Sequence, residues 1–232
     1  IVISYKGNNQ LVITDLFKQK SKNDSLVNKI FKYANDKTGN NIILEKDPSS
    51  FNKDSVILKT LKYVNKKLGI FPYKKIIIST KNISRRPIYG LNNFPEAISP
   101  FNQSFLYEFN FLKELLHIYF VKSISLHNRK EYWQIEGLVI YLLMDYVNLY
   151  YPNLKLTGKY SKLKVLKNRN YSNYNFNEQY RIFENIISSR NINQSIKTSL
   201  DSLTRVNQKI INPYKAGMGL VMLSEYFDKK TI

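Results

Sequence analysis

Two runs constrain this chain more than anything else in it. SFLYEFNFLKELLHIYFVKSIS (104–125) and EYWQIEGLVIYLLMDYVNLYY (131–151) are long, rich in apolar side chains and free of proline. Each predicts a helix of roughly six turns. Only the polar turn LHNRK separates them, so the second helix can return alongside the first. Neither predicts a membrane span: that needs about 18 apolar residues in a row, and GLVIYLLMDYV is broken by Asp145.

The residues before this pair have a different character. LVITDLF (11–17) and NIILEK (41–46) carry strand signals, and DSLVNKIFKYANDKTG (24–39) between them predicts a helix stopped by Gly39. A second helix is expected within DPSSFNKDSVILKTLKYVNKKLG (47–69), capped by Asp54 or Ser55 and ended at Gly69. FPYKKIIIST (71–80) then predicts a central strand, and PIYGLNNFPEAISPF (87–101) an interrupted edge segment. After 151 comes a basic, Asn- and Tyr-rich connection (153–177), then helical segments near 178–189, 195–208 and 214–227. Strands with helices first and helices afterwards predict an α+β protein. The expected lobes are 1–103, which contains the sheet, and 104–232, which is helical.

Composition narrows the chemistry. With 43% hydrophobic and 14% aromatic residues among 232, the chain can bury a core. It has no cysteine, which excludes disulfides, thiol catalysis and thiolate metal sites. The first residue is Ile1, so a trimmed start from a longer product is expected. The net charge of +19 is mostly Lys and is spread along the chain, without an Arg-rich run or a nucleic-acid-binding motif. A solvated basic surface explains it better than nucleic acid as the main partner.

Within the first long helix, Glu114 and His117 stand three positions apart. A helical zinc protease writes His-Glu-x-x-His here, with two imidazoles one turn apart on one face. In this chain Lys113 occupies the first of those places. Eighteen residues separate His117 from Glu136, room for a helix end, a turn and a return, so the pair could bring Glu114, His117 and Glu136 to one spot. A Glu and a His at this spacing on an ordinary amphipathic helix are also common by chance.

ELLHIYF followed by WQIEGLVIYL resembles the gluzincin metallopeptidases of the aminopeptidase N and leukotriene hydrolase family. Upstream, LKYVNKKLGIFPYKKIIIST is similar to that family's helix, Gly-x-x-Pro-Tyr turn and strand; YGLNNFPEAIS lies where its Gly-x-Met-Glu-Asn edge strand would be. Downstream, NPYKAGMGLVML resembles its Tyr-Glu-Lys-Gly phrase, so that the likeness covers roughly residues 55 to 227. It implies a thermolysin-like catalytic domain with a mixed sheet. It also implies His117 and Glu136 as zinc ligands, Glu114 as general base and Tyr214 as oxyanion donor. Gly90 and Asn92 would fall in the substrate-binding edge strand, with Asn92 where the family has the Glu that holds a free amino terminus.

The departures shift the expectation away from catalysis. A Lys113 ammonium has no lone pair for a metal and places positive charge where zinc would sit. It would act as a counter-cation to Glu136 or Glu114 instead. The expected function is therefore a zinc-aminopeptidase-like domain without activity and without a cofactor, which binds or scaffolds a peptide or protein. One alternative is an active metallopeptidase that binds zinc in an atypical site, with His127 as a conceivable substitute ligand. The other is a basic binder of nucleic acid or of an anionic surface. The chain is shorter than the family's usual multi-domain form, which would leave the cleft open to a long partner.

Overall fold

Apolar residues recurring at three- and four-residue spacing settle most of the described residues into helices that bury apolar stripes. The computed structural model describes residues 2–6, 10–14, 53–69, 75–78, 99–127 and 129–230. Two compact units are distinguished: residues 1–87 with 104–118, and residues 88–103 with 119–232.

Among its described residues the first unit contains three short strands, β1 (Val2–Lys6), β2 (Gln10–Thr14) and β3 (Lys75–Ile77), in the order β2-β1-β3. Both pairings are antiparallel, with Ile3 opposite Ile13 on one side and Ile76 on the other. Helix α1 (Lys53–Leu68) follows the predicted apolar stripe and buries Val56, Ile57, Leu61, Tyr63 and Val64. Asp54 stands in its first turn and Lys66 and Lys67 in its last, each complementing the helix dipole. Gly69 ends it at φ +81°, a left-handed backbone that glycine takes without steric cost. The first part of α2 (Gln103–Ser123) completes the unit, with Phe105, Phe109, Phe111, Leu112, Leu115 and Leu116 buried. Lys59 on α1 pairs with the buried carboxylate of Glu108 on α2 at 2.7 Å, and so compensates the cost of taking that charge out of water.

The second unit contains α3 (Tyr132–Tyr150), the short α4 (Lys164–Asn168), α5 (Glu178–Ser189) and α6 (Asn212–Lys230). α3 is apolar nearly all round, and it buries Ile135, Val139, Ile140, Leu142, Leu143, Tyr146 and Val147. Its main neighbour is α6. Between α5 and α6 the chain runs through a 3-10 turn (Leu200–Ser202) and a π turn (Asn207–Ile211). A buried amide organises that stretch. The Asn207 side chain accepts from the Gln194 N–H at 3.0 Å and donates to the Ile192 carbonyl at 2.9 Å and to Thr204 Oγ1 at 2.7 Å.

These elements correct the expected fold class. The described chain is mainly helical rather than an α+β thermolysin-like domain with a mixed sheet, and its few strand pairings are all antiparallel. Of FPYKKIIIST, residues 75–78 are described, and Lys75–Ile77 among them is strand; NIILEK, the helix of 24–39 and nearly all of the edge segment of 87–101 lie outside the described residues. The helix expected near 195–208 is mostly irregular, because side-chain amides and hydroxyls of Gln194, Thr204 and Asn207 satisfy the backbone in place of helical hydrogen bonds.

Candidate functional site

Lys113, Glu114 and His117 lie on α2, in the part that belongs to the first unit. The apolar neighbours Phe111, Leu112, Leu115 and Leu116 are buried on several sides of the helix, which carries Glu114 inside with them. Lys113 and His117 are half-buried. Tyr107 stacks on Phe111 at 6.1 Å and is overlaid by the Lys53 ammonium at 6.0 Å, a packing role. His127 is exposed in the turn before α3, where its backbone N–H donates to Glu131 Oε2 at 2.8 Å. Gly90 and Asn92 lie outside the described residues.

Trp133, Glu136 and Gly137 lie on the first turns of α3, and Tyr214 on the first turn of α6, all in the second unit. A Cβ at Gly137 would stand 2.5 Å from that of Ala216, and one at Gly217 would stand 2.6 Å from the Cβ of Ile140. Small residues on each helix therefore let the two backbones approach closely. The segments WQIEG and YKAGMG, which stand far apart in sequence, meet here by packing. Tyr214 is buried with its ring edge-on to Tyr180 at 4.7 Å and near Phe183 at 6.3 Å. Full burial, with Tyr214 beside it, holds the Tyr180 hydroxyl well above the ordinary phenol range.

The start of α6 carries a further polar group. At the end of the π turn the Asn212 N–H reaches back five residues, to the Asn207 carbonyl. The next donor in that series would be residue 213, but Pro213 has no N–H, which leaves the Gln208 carbonyl without its helical partner. The Tyr132 hydroxyl donates to that carbonyl at 3.4 Å, a long bond. Burial and then the neighbouring Glu136 carboxylate push the Tyr132 phenol up, while Asn212 bonding to it works in the opposite direction. Glu136 and Asn212 thus both act on the Tyr132 hydroxyl, the first by its charge and the second by a hydrogen bond. The sequence reading missed Tyr132 and Asn212; the signal was the dipeptide Asn212-Pro213 at a helix start, where a lost donor demands a substitute.

The far end of α6 differs from its beginning. Met222 is 65% exposed, Leu223 53%, Tyr226 52% and Phe227 61%. The pairs 222/226 and 223/227 are each four apart, so the four side chains form one stripe along the last turns.

The described residues offer no complete ligand set for the zinc that the resemblance implies. Among the described residues no three His, Cys, Asp or Glu side chains gather as a metal centre requires, and a lysine stands in the first ligand's place. The chain matches no protein-family model, and no curated protein or solved structure matches it significantly. The likeness to the gluzincin metallopeptidases is thereby corrected: the described residues that surround Glu114, His117 and Glu136 in sequence are mainly helical, and among the described residues there is no mixed sheet like that family's. In WQIEG and YKAGMG, the small residues Gly137, Ala216 and Gly217 have a sufficient cause in helix packing.

Proposed function

We propose that this chain is a helical protein-binding domain whose partner docks along the last turns of α6. The observation that carries the proposal is the stripe of Met222, Leu223, Tyr226 and Phe227, each more than half exposed. Single exposed apolar residues are ordinary on a protein surface, but a contiguous group of large ones marks an interaction site. A methionine and two aromatics are also side-chain types enriched at such interfaces. The geometry is that of an apolar helix face, which an amphipathic partner helix covers with its own apolar residues at matching spacing.

The net charge of +19 selects among such helices. A partner with acidic residues flanking its apolar face is steered toward this chain, and a basic one is repelled. Two labelled amphipathic peptides sharing one apolar face, with an acidic or a basic polar face, test the proposal by fluorescence anisotropy. The acidic peptide binds, binding weakens as salt rises, and Leu223→Ser with Phe227→Ser lowers affinity at least tenfold. Equal affinity for both peptides, no effect of the substitutions, or a concentration-dependent dimer abolished by them would contradict it.

A further inference from the structure

The connection between α3 and α5 is a closed loop with a firm base. Leu156 N–H donates to the Tyr174 carbonyl at 2.9 Å and Phe176 N–H to the Leu154 carbonyl at 2.8 Å, so the two ends of the loop pair across a single antiparallel bridge. Lys155 adds a side-chain bond to Asn175 Oδ1 at 2.8 Å. Below the bridge the fully buried Phe176 packs edge-on against Phe101 at 5.4 Å. Gly158 takes φ +52°, and a Cβ there would run into the Pro100 carbonyl, which accepts the Lys159 N–H at 2.9 Å. These contacts fix a 3-10 turn (Gly158–Lys162) and α4 above the bridge.

The loop has one sign of charge and an apolar tip. From 146 to 177 there is no Asp or Glu, while Lys155, Lys159, Lys162, Lys164, Lys167 and Arg169 all fall within it. Residues 162–165 are exposed without interruption, and among them Leu163 and Val165 are 53% and 66% exposed between Lys162, Lys164 and Lys167. Tyr171, half exposed, and Tyr160, with the Lys159 ammonium over its ring at 5.4 Å, flank the tip.

We infer that this loop docks the protein on the surface of an anionic lipid bilayer, with Leu163 and Val165 entering the headgroup boundary and the lysines around them facing lipid phosphates and carboxylates. Aliphatic side chains alternating with lysines favour lipid over nucleic acid, because a nucleic-acid groove rewards planar stacking and offers Leu163 and Val165 nothing to enter. Tyrosines beside such a tip suit the membrane–water interface, where a ring can be half apolar and half wet.

The test is co-sedimentation of the whole chain with vesicles of phosphatidylcholine containing about a third phosphatidylserine, against phosphatidylcholine alone. The protein pellets with the anionic vesicles at low salt and is released as salt rises. Lys162→Gln with Lys164→Gln weakens binding by about 25-fold, at about fivefold per lysine. Leu163→Ser with Val165→Ser weakens it at least tenfold at unchanged charge, while Lys66→Gln with Lys67→Gln on α1 leaves it within about twofold. All six substituted positions are exposed, so folding is checked by an unchanged thermal transition. Equal pelleting with neutral vesicles, an equal loss from the α1 pair, or salt-dependent binding to single-stranded RNA without vesicle binding would overturn the inference.

Discussion

Tyr132 connects three features that the sequence presents separately. Its hydroxyl serves the Gln208 carbonyl that Pro213 leaves without a donor, its ring lies buried at the start of α3, and the Glu136 carboxylate beside it favours the neutral phenol. Tyr132→Phe therefore leaves a partly buried carbonyl unsatisfied and destabilises the fold by about 0.5–1.5 kcal/mol in urea unfolding. Pro213→Ala restores a backbone donor in the same place, so the cost of Tyr132→Phe falls toward zero in that background; additive costs would show that the two groups do not share this carbonyl. The same residue shapes the response to alkali. Tyr132 and Tyr180 are both raised above 10.0 in the folded state, mainly by burial, so the unfolded chain loses these protons first. Their contribution to stability is complete below about pH 10 and is lost as pH rises from there toward the raised folded values. Thermal transitions followed from pH 8 to 11 should fall in the upper part of that range, and less steeply in Tyr132→Phe.

The pairing of α3 with α6 rests on small residues rather than on large ones. Gly137 has no room for a Cβ against Ala216, whereas Gly219, further along α6, would place a Cβ in open space. Gly137→Ala should cost about 1–3 kcal/mol from overpacking. Gly219→Ala should stabilise by about 0.5–1 kcal/mol through helix propensity. Similar effects of the two substitutions in chemical unfolding would rule out the close approach. This contrast also explains what the sequence discloses and what it hides. The bounds of α1, α2, α3 and α5 were legible within a few residues, because their apolar spacing and the stop at Gly69 are local signals. The segment 195–208 was not, since its shape depends on the buried Asn207 amide meeting Ile192 and Thr204. At the candidate site the order of side chains was legible and their cause was not. Trp133, Glu136, Gly137 and Tyr214 stand at a protease-like spacing, yet Gly137 is small because Ala216 lies against it and Tyr214 is held edge-on by Tyr180.

Across the molecule, a strongly basic helical chain presents two surfaces of different chemistry. The loop of 154–176 has lysines around an aliphatic tip, and α6 ends in a stripe of Met222, Leu223, Tyr226 and Phe227. Neither was visible in the amino-acid order alone, because exposure is a property of the packed fold: Leu142 and Leu143 on α3 are buried, while Leu223 on α6 is not. Binding at the α6 stripe, rather than at the buried residues of α2, is the core of the functional account. Backbone amide shifts recorded during titration with the acidic amphipathic peptide test it most directly. The largest changes are expected between Met222 and Phe227, with residues 111–117 and Glu136 unmoved. Changes centred on Glu114, His117 and Glu136, with the α6 stripe silent, would contradict it.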